Sequence, residues 1–445
     1  MIGESQIRRV LEAALAFSRA DQTEVMISTE QSNLTRFANS AIHQNVAESN
    51  AEMRVRVVVG QRVGVASLNS LTPEAIKRVV ETAITIAKLQ EENPDLAPLP
   101  RPAPIKHVDA YAERTGGFGP EERAGVVGTI CRKVREKGLS AAGAFSTGAY
   151  ELAIANSLGV FAYHPSTLAD INTVIAAEDS SGYADRIAVD ADKIDAEEIA
   201  AEAVDKALRG RNPIAVEPGD YEVVLQPYAV NDILDFLADC GFSALAVQEG
   251  RSFMGDKFGQ KIVGDHVTIW DDGLDPGGIP TPFDYEGVPK EKVTFIANGV
   301  ANDVVYDSHT AKRAGRKSTG HSLPAPNTYG PFPMNMFMAR GTATEAEMVR
   351  STRKGILVSR FWYTRTVHPL PVIVTGMTRD GTFLIENGEI TRPIKNLRFT
   401  QSYLQALSNL QLIGKTTKLQ RSWVGTSSVP ALKIGKWTFS SATEY

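Results

Sequence analysis

Cysteine is scarce in this sequence, since only Cys131 and Cys240 occur in 445 residues. Two distant cysteines cannot form a disulfide scaffold, and neither belongs to a Cys-x-x-Cys pair of the kind used by zinc and redox sites. The low cysteine content therefore predicts a protein of a reducing compartment. The N-terminal segment is charged and lacks the apolar run and small-residue cleavage site of a secretory leader, which also predicts a cytoplasmic protein.

Long apolar runs and basic clusters are missing as well. No stretch approaches the roughly 20 apolar residues that a membrane helix needs, so no membrane partner is expected. The formal net charge is −5, and the densest basic stretch, Lys312 to Lys317, is short. Because nucleic-acid-binding surfaces usually show a basic patch or stripe, direct nucleic-acid binding is disfavoured.

Familiar catalytic motifs are also absent. The seven histidines include no pair at i, i+4 and no His-Glu-x-x-His, and neither glycine-rich nucleotide-binding pattern occurs. The nearest approach to a serine-hydrolase elbow, Gly250 to Gly255, has one residue too many for Gly-x-Ser-x-Gly. We therefore predict no metal site on this chain from local motifs, while ligands drawn from distant positions stay open.

What the sequence does contain is typical of a globular protein, with 43% hydrophobic and 22% charged residues. Its length predicts two domains or more. The polar, proline-bearing segment Arg211–Asp220 is the best boundary. We predict an N-terminal α+β domain over residues 1–215 and a strand-rich C-terminal domain over 216–445. Five prolines between residues 94 and 104 predict an extended tether near 93–105.

Helical and strand periodicities alternate along the chain and favour an α+β fold with antiparallel sheets. Three pairs, Asn298-Gly299, Asp380-Gly381 and Asn387-Gly388, predict hairpins or tight bends in the second half. The predicted helices lie near residues 7–15, 72–87, 121–137, 195–208 and 229–240. Segment 33–46 predicts two strands around Ala38-Asn39-Ser40, and the other predicted strands lie near 25–27, 53–59, 140–146, 149–155, 159–163, 171–178 and 221–226.

Two stretches combine polar and aromatic residues in a way that suggests binding. The first, Asp303–Gly330, contains Asp307, His309 and His321 in a loop rich in glycine and proline. Its histidines are either ligands or ordinary surface residues. The second, Ser359–Asp380, interleaves aromatic, arginine and threonine residues on predicted strands, which form either an open edge for an incoming peptide or a core strand pair.

Several segments, spread over nearly the whole chain in family order, resemble the TldD/PmbA family, whose members were once called modulators of DNA gyrase. These segments are Leu34–Ser40, Ala155–Gly159, Val247–Phe253, Phe283–Pro289, Ser318–His321 and Ile385–Ile390.

The resemblance implies a two-domain α+β protomer that dimerises around an enclosed cavity and acts on extended peptides. In the TldD type, one helix carries His-Glu-x-x-x-His and supplies zinc ligands. The matching segment here is 244–249, with Ala244 and Glu249 at the histidine positions and Leu245 at the glutamate position. Alanine cannot ligate a metal, and leucine cannot act as a general base. The chain therefore resembles the PmbA (TldE) type, the subunit without the metal motif, and zinc is expected on a paralogue.

Three functional hypotheses follow. In the first, this chain is the non-metal partner of a TldD-type paralogue and helps to hold the peptide. In the second, it is a homodimeric peptidase that uses His309, His321 or His368 with Asp307 or Glu249. In the third, it is a non-catalytic peptide-binding or regulatory module. For the contacts to substrate, we expect Arg251, Ser252, Thr375 and Gly376.

Overall fold

A computed structural model describes residues 1–443 and confirms the α+β class. Its strands form two sheets, the first built from residues 22–188 and the second from residues 219–442. The first half of the chain contains α1 (Glu4–Phe17), β1 (Gln22–Ala38), β2 (Ala41–Val59), β3 (Arg62–Leu68), α2 (Pro73–Leu89), α3 (Glu113–Gly116), α4 (Pro120–Glu136), β4 (Ser140–Asn156), β5 (Phe161–Ala176), β6 (Ser181–Ala188), a 3-10 turn (Ala191–Lys193) and α5 (Ala196–Arg209).

The second half is richer in strands, as the sequence predicts. It contains β7 (Gly219–Leu225), α6 (Pro227–Gly241), α7 (Ala244–Gln248), β8 (Ile269–Asp271), β9 (Val293–Ala297), β10 (Val300–Ala301), α8 (Ser308–Ala314), β11 (Asn335–Met338), α9 (Glu345–Arg350), β12 (Lys354–His368), β13 (Ile373–Glu386), β14 (Glu389–Pro393), β15 (Leu397–Ser402), α10 (Tyr403–Ser408), β16 (Leu410–Arg421) and β17 (Thr426–Ala442).

The first sheet is antiparallel throughout, with the strand order β3-β2-β1-β4-β5-β6. Two of its long strands, β1 and β2, are joined at Asn39 and Ser40, whose φ angles of 51° and 56° form a tight turn. Alternate residues of each strand form cores with α1 and α2 on one half of the sheet and with α4 and α5 on the other. On the opposite face, Met26 and Ile154 contact Phe283 of the second half of the chain.

Glycine allows the helices to lie close against both edge strands of this sheet. A Cβ atom on Gly64 of β3 would lie 2.0 Å from the carbonyl oxygen of Ala83 in α2. A Cβ atom on Gly182 of β6 would lie 2.0 Å from the carbonyl oxygen of Ala203 in α5. The two contacts are alike, so only glycine fits at either position without moving a helix.

In the second sheet, β7 pairs with both β12 and β17, and this closes a ring in the order β7-β12-β13-β15-β17. Large aromatic side chains fill the core there. Trp437 is fully buried and stacks on Phe361 with 5.0 Å between ring centroids, and Phe399 and Tyr403 contact the same indole. Remaining strands extend the sheet from β17 through β11, β8, β9 and β10.

Several local expectations differ from the structure. The strands predicted at 159–163 and 171–178 are one strand, β5. The strands predicted at 140–146 and 149–155 are one strand, β4, because it runs without interruption between β1 and β5. The pair Asp380-Gly381 makes no hairpin, but forms a bulge inside β13 opposite Ser359 of β12. By contrast, Asn298-Gly299 connects β9 to β10 and Asn387-Gly388 connects β13 to β14, as predicted.

The predicted boundary and tether lie in segments without regular structure. Residue 215 lies between α5 and β7, and residues 90–112 contain neither helix nor strand. Side-chain hydrogen bonds attach this second segment to the first sheet, from the backbone amide of Leu99 to Gln22 and from Asn156 to the carbonyl oxygen of Pro100. The division at residue 215 stays a prediction.

Buried charges connect the two halves of the chain. Glu202 of α5 accepts hydrogen bonds from Lys206 at 2.8 Å, from Arg186 at 3.0 Å, and from Tyr228 and Lys418 of the second half at 2.8 and 2.9 Å. Burial opposes ionisation of Glu202, but Lys206 and Lys418 outweigh it and lower the pKa of this carboxyl group. The second half is therefore held against the first by an ionised carboxylate with several donors.

We predict that Gly64→Ala lowers the free energy of unfolding by roughly 2–4 kcal/mol, because the new methyl group would displace the backbone of α2. The matched control is Gly125→Ala, an exposed position in α4 with no atom near the new Cβ. That change should stabilise the protein by roughly 0.5–1 kcal/mol. Urea unfolding followed by circular dichroism measures both, and equal effects of the two variants would contradict the packing argument.

Candidate functional site

The segment that matches the family's metal motif does not form a ligand-bearing helix. It is the five-residue α7, in which Ala244 is buried in the core of the second half. Leu245 faces a different way, into a small pocket, and Glu249 is exposed and paired with Arg251 at 2.6 Å. Positions 244 and 249 therefore do not converge on one cavity.

The pocket at Leu245 has a volume of about 140 Å³ and brings together several polar side chains. Among them, Arg56 forms ion pairs with Glu24 at 2.6 Å and with Glu286 at 3.0 Å. His309, an expected site residue, lies on the wall of this pocket, and Asp307 is there as well. However, the Asp307 carboxylate is occupied as the N-cap of α8, because it accepts from the amide and hydroxyl of Thr310.

The second expected histidine, His321, is a buried structural residue. Its Nε2 atom lies 2.9 Å from an oxygen of Asp271, and its Nδ1 atom lies 3.0 Å from the hydroxyl of Thr319. Burial lowers the pKa of His321, so the ring is neutral near pH 7. The other oxygen of Asp271 accepts the amides of Met334 and Asn335. With a fully buried ring, His321 is closed to a substrate.

The remaining expected residues are dispersed. His368 is exposed at the end of β12. Ser252 is buried, donates to the carbonyl oxygen of Gly241 and accepts the amide of Met254, so its hydroxyl has a structural role. On β13, Thr375 is half-buried, whereas Gly376 is buried against the ring of Phe399.

Sequence reasoning missed the acidic face of α6. Asp232, Asp235 and Asp239 follow each other at i, i+3 and i+7, which places them along one side of the helix. Asp232 accepts the hydroxyls of Tyr403 and Thr364 at 2.6 and 2.7 Å. Neither Asp232 nor Asp235 has a cationic partner among the residues that the structure describes.

Burial is the main cause of the shifted pKa values of Asp232 and Asp235. It raises the pKa of Asp232 to about 6 and that of Asp235 to about 7, although hydroxyl donors oppose the shift in both. Asp235 accepts the hydroxyl of Ser422 and the amide of Trp423. Strongly shifted carboxyl groups of this kind are enriched at functional sites. The signal in the sequence was weak, because aspartates on an otherwise apolar helix also occur as ordinary surface residues.

Exposed aromatic and aliphatic side chains lie on two segments that contact α6. Trp423 is 53% exposed, although its ring lies 4.7 Å from that of Phe236 on α6. On β12, Trp362 and Tyr363 are 41% and 66% exposed, and Val367 is exposed as well. The acidic face of α6, the outer half of β12 and Trp423 together form the candidate site.

The residues present do not fit a catalytic zinc ion. Such an ion needs three or four converging nitrogen, sulfur or oxygen ligands. Within residues 1–443, no group of three or more His, Cys, Asp or Glu side chains is placed to hold a metal. The side-chain oxygens of Asp232 and Asp235 instead accept hydrogen bonds from hydroxyl and amide donors.

We predict that Asp235 makes stability depend on pH. Its folded-state pKa lies above the ordinary value of 3.8, so its protonated form stabilises the fold, and this contribution is lost as the pH rises from about 4 through about 7. Asp235→Asn should gain stability relative to the unsubstituted protein, by on the order of 3 kcal/mol, between pH 4 and pH 8. Urea unfolding across this range measures the gain. Asp205→Asn, at an exposed position, is the control, and a gain independent of pH would contradict the assignment.

No helix among the described residues is both long and apolar enough to cross a bilayer.

Comparison with known proteins places these features in a family. The metalloprotease PmbA of Escherichia coli O157:H7 is 24% identical over 450 residues, which cover 96% of each chain. The uncharacterised protein MJ0231 of Methanocaldococcus jannaschii is 37% identical over 129 residues, 29% of this chain and 31% of that protein. Among solved structures, TldE from Thermococcus kodakarensis has the same fold, with a TM-score of 0.90 and 20% identity over 98% of this chain and 99% of that one.

Family models match most of the sequence. The PmbA/TldA metallopeptidase C-terminal domain matches residues 218–441, domain 1 matches residues 23–87, and the central domain matches residues 120–211. The resemblance predicted from short segments is confirmed, and the chain belongs to the PmbA/TldD metallopeptidase family.

Proposed function

We propose that this chain is the non-metal, PmbA/TldE-like subunit of a two-protein peptidase that acts in proteolysis or peptide maturation in the cytoplasm. The observation that carries the proposal is the chemistry at the metal-motif positions, where Ala244, Leu245 and Glu249 replace two ligands and a base. Neither Ala244 nor Leu245 can bind zinc or activate water. A paralogue with His-Glu-x-x-x-His would supply both.

The contribution of this chain would be to hold an extended peptide. On β12, residues 355–358 pair with β7 on one side, but β7 ends at Leu225. Residues 360–368, which we call the outer half of β12, pair with β13 on the other side. Within the described chain, no strand pairs with the second edge of this outer half. An extended peptide can add to such an edge through main-chain hydrogen bonds, while neighbouring side chains select its residues.

Several residues beside this edge would support that role. Thr364 and Tyr403 donate hydrogen bonds to Asp232, and Asp235 accepts the amide of Trp423. The exposed side chains of Tyr363 and Val367 give a peptide apolar surface to cover. In a dimer that encloses a cavity, these groups would exclude water and position the peptide, while chemistry would take place on the partner subunit.

A specific observation also favours the second hypothesis, a peptidase that uses residues of this chain alone. His309 lies in the pocket of Leu245 together with Glu286 and Asp307. That pocket has a volume of about 140 Å³, which is too small for a peptide. The Glu286 carboxylate already bonds Arg56 and the amide of Ser308, and the Asp307 carboxylate already accepts the amide of Thr310. The stand-alone peptidase and the purely regulatory module are therefore the two alternatives that the following test can detect.

The direct test combines this chain with a His-Glu-x-x-x-His paralogue from the same genome. We expect the two proteins to co-purify and to cleave unstructured peptides together, with activity lost on chelation and restored by zinc. This chain alone should show no cleavage, because it lacks ligands and base. Full activity of the chain alone, insensitive to a chelator, would show that the proposal is wrong. Co-purification without any cleavage would favour the regulatory module.

Histidine variants separate the first two hypotheses. We expect His309→Ala and His368→Ala to keep most of the activity of the complex, because neither residue would contact the reacting atoms. His321→Ala should instead lower the free energy of unfolding by roughly 1.5–3 kcal/mol, since the buried Asp271 carboxylate would lose the hydrogen bond from the ring. Peptide cleavage and thermal unfolding are measured on all three. Loss of cleavage in folded His309→Ala or His368→Ala protein would support catalysis by this chain.

A further inference from the structure

Strand register places polar and aromatic side chains in three adjacent rows on the outer face of β12, β13 and β15. Residues directly opposite each other in antiparallel strands point to the same side of a sheet. We name this surface the arginine face. Its rows pair Arg360 with Arg379, Trp362 with Met377 and Arg398, and Arg365 with Thr375 and Thr400.

The arginines of this face differ in whether their charge is already matched. Arg360 is largely buried and bonds Asp380 at 2.5 Å, so it is neutralised within the fold. Arg379 is 43% exposed and only reaches the same carboxylate at 3.9 Å. Arg365 and Arg398 are exposed and form no ion pair among residues 1–443. Three guanidinium groups are therefore available on one surface of a protein whose net charge is negative.

The arginine face continues into the largest cleft next to it. This cleft has a volume of about 1010 Å³ and lies between β13, β15 and the segments at 177–181 and 210–213. Met377, Arg379 and Arg398 line its strand side. Glu178 and Asp179 lie on the opposite wall, and Asp179 accepts the amide of Asn212. An anionic group is thus expected on the strand side of the cleft.

The Trp362 ring on this face is not free to stack with a nucleic-acid base. The guanidinium groups of Arg360 and Arg379 lie 5.0 and 4.8 Å from the centre of the Trp362 ring. Single-stranded nucleic acid is usually held by open aromatic faces along a basic groove. Here the ring is occupied by cations, whereas the free guanidinium forks match carboxylates, which they bind with two parallel hydrogen bonds.

We propose that the arginine face binds the acidic side chains of an extended peptide and so selects substrates with Glu or Asp at alternate positions. Successive side chains on one face of a strand are about 6.6–6.8 Å apart, which is also the spacing between successive rows of the sheet. A peptide that runs along β12 and β13 can therefore place acidic residues opposite Arg379, Arg398 and Arg365 in turn. The inference rests on the proposed function, in which this chain holds an extended peptide, and it adds a second surface and a substrate class for that peptide.

Peptide binding to the full chain tests it directly. Two fluorescent ten-residue peptides are compared by anisotropy, one with Glu at four alternate positions and one with Gln at the same positions. We expect the Glu peptide to bind about tenfold more tightly in 50 mM salt, with the difference reduced in 500 mM salt. The double variant Arg379→Gln/Arg398→Gln should remove most of the difference. Arg9→Gln, an exposed arginine on α1, is the control and should leave it unchanged.

Several outcomes would overturn the proposal. These are equal affinity for the two peptides, an undiminished preference in the double variant, and tighter binding of a ten-nucleotide single strand than of the Glu peptide. Loss of self-association in the double variant, without any peptide binding, would assign the face to a second copy instead. Thermal unfolding of both variants confirms that they are folded, so a negative result is informative.

The two proposals fail in different ways. If the complex with the paralogue cleaves peptides in a chelator-sensitive manner but treats Glu and Gln peptides alike, acidic-peptide selection by the arginine face is contradicted and the subunit role is supported. If the chain alone selects the Glu peptide but no paralogue gives zinc-dependent cleavage, the selection is supported and the subunit role is contradicted.

Discussion

The arrangement of the two halves depends on the ion triad of Arg56, Glu24 and Glu286, together with the cluster at Glu202. Burial disfavours the charged forms, and it raises the pKa of Glu24. It opposes ionisation of Arg56 too, but the two carboxylates outweigh it and raise the pKa of the guanidinium group. One side chain of β2 thereby joins a neighbouring strand to a loop 230 residues away. Removing a single partner from such a group leaves a buried charge unmatched, which typically costs about 3–5 kcal/mol.

That triad also organises the pocket beside α7. Glu286 accepts the amide of Ser308 at the start of α8, and Asp284 in the same loop accepts the amides of Glu286, Val288 and Ser322. Burial raises the pKa of Asp284 to about 7. These two acidic residues thus position the loops around the pocket. Asp235 on α6, in contrast, accepts the amide of the exposed Trp423.

Local signals in the sequence predicted the elements that depend on neighbouring residues. Thr72 and Pro73 begin α2 as expected, because the threonine hydroxyl accepts the amide of Ala75 and proline needs no partner at that position. Asn39 and Ser40 turn β1 into β2 since they tolerate positive φ. Asp380-Gly381 carries the same type of signal, yet Arg360 and Ser181, both distant in sequence, hold Asp380 inside a strand.

The site was harder to predict, because its geometry comes from contacts over long separations. His321 was a reasonable candidate by residue type, and only the approach of Asp271, 50 residues earlier, shows that it is structural. The arginine face has no local pattern either. Its rows exist because a bulge between Trp362 and Arg365 keeps Arg365 level with Thr375 of β13. A single sequence cannot show such a register.

The closed ring of the second sheet has a consequence for biosynthesis. The first sheet ends at residue 188, so all six of its strands are synthesised before β7. The ring of the second sheet closes last, because β7 must wait for Leu432 to Phe439 of β17, more than 200 residues later. One side of β7 stays unpaired until β12 is made, and the other stays unpaired until β17 is made. The nascent second half is therefore the part of the polypeptide that most needs protection by a chaperone during translation.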